Sequence, residues 1–270
     1  MGIDYRNIKM ANFTKQFATK PSNDITFSVT QDCQLVCKYC YMTGKNNIKN
    51  MSFDIAKKAI DYILDNRDIY SENSVIWNFI GGEPLLEIDL IDTICDYIKQ
   101  QMYILDHPWF NNYRFSISTN GILYGTEKVQ KFIKKNKEHL SIGISVDGNK
   151  EKHDNQRIYP NGRGSYDDVI KNIPLWKKQF PDEHAVKATF SHGDIHLIKD
   201  SIINLWNLGI TDVSANVVFE DVWDENDPII FEKQLKELGD YVLENDLINK
   251  VSVRFLDPNI GFPENDKTHG

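Results

Sequence analysis

The chain has 270 residues, of which 41% are hydrophobic and 26% charged, so it can bury a large core as one big domain or two small ones. Its formal net charge of −8 argues against a dominant phosphate-binding surface, and therefore against a nucleic-acid partner. The sequence contains no apolar run long enough for a membrane span, and its N-terminus lacks the apolar stretch of a secretory signal. These features predict a cytoplasmic protein.

In chain order, strand-like runs alternate with amphipathic stretches. Strands are predicted at 25–30, 75–79, 113–118, 140–146, 185–190 and 212–219. Helical stretches are predicted at 51–66, 90–98, 165–180, 196–209 and 228–245. Ser52 is a plausible N-cap of the first helix, and Gly209 is expected to end the fourth.

Six strands that alternate with helical stretches indicate an α/β fold with a parallel sheet and right-handed crossovers. An open doubly wound sheet would satisfy this pattern, as would a barrel. Because six units fall short of the eight that close a full barrel, a partial (β/α)6 TIM-like barrel is predicted. The expected organisation is an N-terminal extension at 1–22, a core at 23–250, and a final stretch at 251–270. That stretch begins with a seventh short strand at 251–256 and continues as loop or linker.

Polar motifs follow the first four predicted strands. Cys33, Cys37 and Cys40 follow the first strand, "GGEP" (81–84) the second, "STNG" (118–121) the third and "SVDG" (145–148) the fourth. In parallel α/β folds these positions share one end of the sheet, where sites are built. The four motifs are therefore expected to face a common space.

The three clustered cysteines admit several interpretations. A disulfide would leave one thiol over, and a structural zinc site needs four ligands, so His107 or Cys95 would have to serve. Cys95 lies on the apolar face of a predicted helix, where a small buried hydrophobe is expected. Thiolates at this density also suit an iron–sulfur cluster, and three cysteines would leave one iron of a cubane open to a substrate or cofactor.

The Cys-x3-Cys-x2-Cys spacing, with Tyr39 just before the last cysteine, resembles the signature of the radical S-adenosylmethionine (SAM) enzymes. The likeness continues through the three later motifs into "HDNQR" (153–157) and "GRGSYDD" (162–168). This order is similar to that of the peptide- and protein-modifying branch, which includes SPASM-type peptide maturases and anaerobic sulfatase-maturating enzymes. The match covers roughly residues 25–220 and implies the radical SAM type of partial barrel.

The resemblance implies a 4Fe–4S cluster on Cys33, Cys37 and Cys40, with SAM bound through its amino and carboxylate groups to the fourth iron. One electron from a flavodoxin- or ferredoxin-type donor would cleave SAM to methionine and a 5′-deoxyadenosyl radical, which takes hydrogen from a peptide or protein. The first hypothesis is maturation of a ribosomally made peptide by a thioether or other crosslink. The alternative is an anaerobic sulfatase-maturating enzyme that oxidises Cys or Ser to formylglycine. A further hypothesis, from a different functional class, is a non-catalytic iron–sulfur electron carrier or a zinc-stabilised binding module.

Several residues are candidates for SAM contacts. Gly81 and Gly82 allow close backbone approach to a ligand, Glu83 offers an acceptor for the ammonium group, and the fork of Arg157 suits the carboxylate. The remaining candidates are Tyr39, Pro84, Ser118, Asn120, Ser145, Asp147 and Val217. Simple turns remain the alternative for "STNG" and "SVDG", a surface arginine for Arg157, and a core valine for Val217.

Other polar and aromatic residues favour structural roles. His153 and Asp154 are expected to shape their loop, whereas Trp77, Phe79 and Trp206 are expected in the core. The acidic stretch 220–228 favours a solvated loop. Relatives usually continue into a cysteine-rich SPASM- or twitch-like domain with auxiliary clusters, but no cysteine follows Cys95. The sequence is therefore expected to be either a truncated core or an enzyme with one cluster.

Overall fold

The computed structural model describes residues 22–42, 50–181, 185–220 and 222–257. The predicted N-terminal extension therefore lies outside the described residues except for Ser22, as does the part of the final stretch beyond residue 257. Among the described residues, none of the helices has the length and apolar character that a membrane span requires.

Seven strands form within the described ranges, and every strand pairing given below is parallel. They are β1 (Asn23–Thr30), β2 (Val75–Gly81), β3 (Tyr113–Thr119), β4 (Leu140–Ser145), β5 (Ala185–Phe190), β6 (Asp212–Val217) and β7 (Ser252–Val253). All six predicted core strands are present, and β5 has the predicted bounds. The seventh strand is shorter than predicted, because the chain turns into a 3₁₀ helix at Arg254–Leu256.

Eight α-helices lie in the described part of the chain. They are α1 (Phe53–Asp65), α2 (Ile88–Ile104), α3 (Glu127–Asn136), α4 (Lys150–Gln156), α5 (Tyr166–Ile170), α6 (Ile173–Gln179), α7 (Ile198–Asn207) and α8 (Asp227–Glu244). The predicted caps are confirmed. Ser52 Oγ accepts a hydrogen bond from the Ile55 N–H, and Gly209 takes a φ of 72° after α7.

The predicted helix at 165–180 is two short helices. The first ends at Ile170, and the second starts at Ile173 with Pro174 in its first turn. Proline has no N–H and disfavours helical geometry at the preceding residue, so one continuous helix is interrupted there. The lysine-rich α3 was not predicted, because only a few apolar residues interrupt its polar sequence.

The chain divides into two compact units. Of the described residues, unit A comprises those within 12–146 and 153–183, and unit B comprises those within 147–152 and 184–270. In unit A, strands β1 to β4 pair side by side in chain order. In unit B, β5 pairs with β6 and β6 pairs with β7. Parallel strands in chain order place the residues that follow them at one end of each sheet.

The two faces of the unit A sheet differ in chemistry, because successive side chains of a strand alternate between faces. Phe27, Trp77 and Phe79 are buried on one face, where Phe27 stacks on both rings. The other face carries half-buried polar side chains that include Ser118 and Ser145. The predicted core roles of Trp77 and Phe79 are confirmed, and the two candidate serines lie away from that core.

The remaining core predictions also agree with the structure. Cys95 is fully buried on α2, and burial raises the pKa of its thiol well above the ordinary value. A thiol held in its neutral form is a small hydrophobe, as predicted for this position. In unit B, Trp206 of α7 is buried and donates its indole N–H to the Ser252 carbonyl at 3.3 Å.

Candidate functional site

The cysteine loop follows β1 in unit A. Cys33 is buried, whereas Cys37 and Cys40 are half-buried, and all four cysteines of the chain are thiols. The Asp32 carboxylate accepts from the Cys33 N–H at 2.9 Å, and the Leu35 N–H points to Cys33 Sγ at 3.4 Å. The four cysteines therefore form no disulfide with one another in this structure. The loop already contains one contact from a backbone N–H to a sulfur atom.

The glycines of "GGEP" allow close packing against the cysteine loop. A Cβ on Gly81 would lie 2.3 Å from the Thr30 carbonyl oxygen, and one on Gly82 would lie 2.1 Å from that of Asp32. The Gly82 and Glu83 N–H groups donate to these same two carbonyls at 2.9 and 2.8 Å. The close neighbour of each glycine is thus protein backbone, whereas the sequence interpretation was approach to a ligand. Any larger residue would push the two motifs apart.

Glu83 is fully buried and connects three segments of unit A. Its carboxylate accepts from Thr119 Oγ1 at 2.6 Å, from the Asn120 N–H at 2.8 Å and from the Leu85 N–H at 3.0 Å. Burial raises the pKa of Glu83, while these hydrogen bonds and the charge of Arg157 oppose the rise. Pro84 is buried beside it and starts a 3₁₀ turn that Glu83 caps.

Asn120 links the motif after β3 to both neighbouring motifs. Its backbone N–H binds Glu83, and its side-chain Nδ2 lies 3.9 Å from Cys33 Sγ. Its Oδ1 accepts from the Ile122 N–H at 3.0 Å, which fixes the amide orientation. The motifs after β1, β2 and β3 therefore converge, as the parallel strand order predicted.

Arg157 lies against the cysteine loop. Its guanidinium carbon is 5.5 Å from the centre of the Tyr39 ring, within the range of a cation–π contact. The backbone beside it is also bonded to the loop, because Val36 and Lys38 donate to the carbonyls of Ile158 and Gln156 at 2.8 and 3.0 Å. Arg157 is buried, so the surface-arginine alternative does not describe it.

His153 and Asp154 hold the segment that carries Arg157. His153 Nε2 lies 3.0 Å from Ser165 Oγ, which donates to the Arg157 carbonyl at 2.8 Å. The Asp154 carboxylate accepts from the Tyr166 N–H at 2.8 Å. Although residues 153–156 are helical rather than the expected loop, these contacts support the structural role predicted for both side chains.

Two residues that the sequence analysis did not select stand out. Thr119 is buried, donates to Glu83 and accepts from the Gly121 N–H at 3.0 Å. Gln34 lies between the first two cysteines, and its Nε2 and Oε1 are buried with no hydrogen-bond partner in the described part of the chain. The place of Thr119 within "STNG" could have signalled it, whereas nothing in the spacing signals Gln34.

The zinc interpretation does not fit the described geometry. His107 precedes β3, whereas the cysteine loop follows β1, so the two lie at opposite ends of the parallel strands. His107 Nδ1 accepts from the Trp109 N–H at 3.2 Å, and its ring packs on Trp109. Cys95 is buried within α2. Neither residue can complete a four-ligand site with the three cysteines.

Two of the residues predicted to contact SAM, Asp147 and Val217, belong to unit B and have different surroundings. Asp147 is fully buried, lies 3.6 Å from Lys152 Nζ and accepts from the Thr189 N–H at 3.3 Å. Lys152 is buried too, and it also contacts Asp194 at 3.3 Å. These contacts favour a structural role for Asp147. Val217, at the end of β6, lines an open apolar cleft that also contains Ile195, Trp223 and Phe231.

Within the acidic stretch 220–228, the described residues differ from a simple solvated loop at one position. Asp227 is buried, and it accepts hydrogen bonds from His192 Nδ1 at 2.9 Å and from the Asp224 N–H at 2.7 Å. Hydrogen bonding to Asp227 raises the pKa of His192. Glu220, Asp224 and Glu225 remain exposed, as expected for such a stretch.

Comparisons with known proteins agree with this arrangement. A family model described as the Radical SAM superfamily matches residues 27–199. An uncharacterised protein of Methanocaldococcus jannaschii is 32% identical over 194 residues, covering 72% of this chain and 62% of that protein. A cysteine-type anaerobic sulfatase-maturating enzyme of Clostridium novyi is 32% identical over 149 residues, covering 54% of this chain and 38% of the enzyme.

Among solved structures, anSMEcpe with bound AdoMet superimposes with a TM-score of 0.70 at 22% identity, covering 87% of this chain and 64% of that chain. Streptococcus suis SuiB bound to its precursor peptide SuiA gives a TM-score of 0.58 at 14% identity, covering 83% and 47%. Both likenesses show the fold, and the predicted α/β class is confirmed. The chain spans 62% and 38% of the two curated relatives described above.

Proposed function

The chain belongs to the radical SAM superfamily, and on this premise we propose that it is the catalytic core of an oxidoreductase that modifies a peptide. One observation carries the proposal. Asn120 contacts Cys33 through its side chain and Glu83 through its backbone, so three distant motifs meet in unit A. When bound, a 4Fe–4S cluster and SAM supply a 5′-deoxyadenosyl radical that can take a hydrogen atom from an unactivated carbon.

The residues of the cysteine loop fit such a cluster. Cys33, Cys37 and Cys40 would hold it, and three thiolates leave one iron for SAM. Buried polar groups in native proteins almost always have partners, yet the Gln34 amide within this loop has none among residues 22–42, 50–181, 185–220 and 222–257. A loop that combines three thiols with an orphaned amide is consistent with a polar cofactor at this position.

The neighbouring residues suit the two charged ends of SAM. Glu83 would attract the ammonium group, while Gly81, Gly82 and Pro84 fix its position against the loop. Arg157 would bind the carboxylate of SAM through its fork, and its charge opposes the rise that burial causes in the pKa of Glu83. Asn120, Ser118 and Ser145 would hydrogen-bond the ribose or the carboxylate, and Tyr39 would pack at the cluster.

The two unit B candidates receive unequal support. The apolar cleft beside Val217 contains Trp223, which suits contact with the flat adenine ring. Asp147 remains a weaker proposal, because its carboxylate already serves Lys152 and the Thr189 N–H.

The proposed substrate is a peptide, and its maturation by a thioether or other crosslink is the first candidate reaction. Support comes from the subtilosin biosynthesis protein AlbA of Bacillus subtilis, which is 27% identical over 155 residues, and from the peptide-bound SuiB structure. Formylglycine formation in a sulfatase is the second candidate, favoured by the similarity to sulfatase-maturating enzymes. Either reaction would take its electron from a flavodoxin- or ferredoxin-type donor.

The test of the proposal is anaerobic reconstitution with iron and sulfide, followed by dithionite and SAM. We expect 5′-deoxyadenosine to form in the wild type and to fall to background in Cys37→Ala, because that variant loses one of the three thiolates. Cys95→Ala is the matched control, because Cys95 is buried within α2, and it should retain product formation. A wild-type cluster that leaves SAM intact would contradict the proposal.

The two candidate reactions are separated by substrate. Peptides that carry a cysteine and an acceptor residue are compared with peptides that carry a sulfatase motif. The masses of the products are measured by mass spectrometry. A crosslink lowers the peptide mass by about two hydrogens without a new aldehyde, whereas formylglycine gives an aldehyde that an aminooxy reagent traps.

A further inference from the structure

Gln34 is the group that the proposed cofactor assignments leave unexplained. It follows Cys33 directly, and both polar atoms of its side chain are buried without a hydrogen-bond partner among the residues that the structure describes. The Leu35 N–H beside it already contacts Cys33 Sγ. Because both amide atoms lack a partner, the observation is the same whichever way the amide is turned.

An orphaned amide is costly in a folded protein. A buried polar group without a hydrogen bond destabilises the folded state, because the group loses its hydrogen bonds to water and gains none in return. Leucine or methionine would fill a similar volume without this cost. The position therefore carries a polar group for which the described part of the chain provides no partner.

The chemistry around Gln34 indicates what that partner is. The residue lies in the loop that contains the three proposed cluster ligands, and two amide groups, the Leu35 N–H and Asn120 Nδ2, already approach Cys33 Sγ. Resting on the proposed function, we propose that the Gln34 side-chain amide donates a hydrogen bond to a sulfur atom of the bound cluster. Gln34 would then be a cofactor-contacting residue that tunes the cluster.

The consequence is a change in reduction potential. Hydrogen bonds to the sulfurs are one of the factors that set the reduction potential of an iron–sulfur cluster. An N–H donor stabilises the reduced cluster, because that form carries the larger negative charge. Loss of the Gln34 donor should therefore make the potential more negative and reduction harder. Gln34→Met keeps the length of the side chain and removes both polar atoms.

The first measurement needs no cofactor. The cofactor-free wild type, Gln34→Met and the exposed-site control Gln100→Met are compared by thermal unfolding. We expect Gln34→Met to unfold at the same or a higher temperature than the wild type, because it removes an unpaired buried amide. A lower unfolding temperature than in both other proteins would mean that the amide has a partner in the protein, and the proposal would be wrong.

The second measurement is an EPR-monitored redox titration of the reconstituted proteins without SAM. A more negative midpoint potential in Gln34→Met than in the wild type and Gln100→Met supports the proposal, as does failure of a stably folded Gln34→Met to retain iron. Equal potentials at equal iron content would overturn it while leaving the proposed function standing. If the wild type assembles no cluster, the proposed function fails first.

Discussion

At the residue scale, Glu83 shows how one buried carboxylate can organise a site. It is fully buried, yet hydrogen bonds from Thr119, Asn120 and Leu85 satisfy it from two separate motifs. Burial favours the protonated form, while the three donors favour the ionised form. Burial has the larger effect, so the pKa of Glu83 is raised, and the three donors limit that rise.

Thr119 can be tested through this balance. Thr119→Val keeps the shape but removes the donor to Glu83, and a lost hydrogen bond to a charged group costs about 1.5–3 kcal/mol. The Glu83 pKa should rise further, so the stability deficit should grow as the pH rises from 4.5 and Glu83 ionises. Urea unfolding of Thr119→Val at several pH values measures this deficit.

Thr93→Val is the matched control, because Thr93 donates only to the Asp89 carbonyl on the exposed side of α2. A Thr119→Val deficit no larger than that of the control, or one that does not change with pH, would show that Glu83 does not depend on Thr119.

At the scale of the element, the residues at the two ends of the unit A strands differ in role. Residues that follow the strands of unit A form the candidate site, whereas the 3₁₀ turn Pro108–Asn111 precedes β3 and packs aromatic rings. His107 caps this turn through Nδ1 and is buried. Burial lowers its pKa from 6.5 to about 4, with the nearby Arg67 charge adding to the effect.

This shift predicts a pH-dependent stability. The folded state keeps His107 neutral, so its contribution is fully present above pH 6.5 and is lost as the pH falls from 6.5 to about 4, where only the unfolded chain takes up the proton. In His107→Asn an amide oxygen can still cap the turn, but it does not titrate. The slope of unfolding free energy against pH in this window should therefore be shallower in His107→Asn.

Replacement of the exposed His196 by Asn provides the control and should leave the wild-type slope unchanged. Identical slopes in the wild type and His107→Asn would mean that His107 is protonated in the folded chain.

At the scale of the whole molecule, the chain contains two compact units, and each has a buried polar network of its own. In unit A, Glu83 joins the motifs that follow β2 and β3. Unit B contains the fully buried Lys152, which donates to the Thr189 carbonyl at 2.7 Å and contacts the carboxylates of Asp147 and Asp194. A buried cation between two buried carboxylates binds residues 147–152 to the start of β5 and its following turn.

Lys152→Met should weaken unit B selectively. Removal of one partner from a buried ion pair costs roughly 3–5 kcal/mol, because charge is left buried without compensation. Hydrogen exchange followed by mass spectrometry should show lost protection in 185–217, while β1 to β3 of unit A retain theirs.

Lys236→Met, which removes an exposed lysine of α8, serves as the control. It should leave the hydrogen-exchange protection of both units unchanged. Equal loss of protection in both units would mean that the chain unfolds as one cooperative body, contrary to this prediction.

Much of the fold and part of the site could be predicted from the sequence. The strands were predicted from runs in which every second residue is apolar. Such a run reflects burial of one face of the sheet, as at Phe27 and Val29. The split at Pro174 and the helix at 153–156 were missed, since local propensity competes with contacts such as that of Asp154 with Tyr166. Motif order likewise predicted the convergence of Cys33, Glu83 and Asn120, because parallel strands end on the same side.

The sequence alone determined which chemical groups the protein has: three thiols at a fixed spacing, a carboxylate after two glycines, and strands that run parallel. Only the tertiary structure decided which atoms meet. It pairs Glu83 with Thr119 rather than Ser118, packs Gly81 and Gly82 on the cysteine loop, surrounds Asp147 with Lys152 and leaves the Gln34 amide unsatisfied. The physical reason is that periodicity specifies burial, whereas contacts across 36 to 87 residues of chain depend on strand register and loop packing.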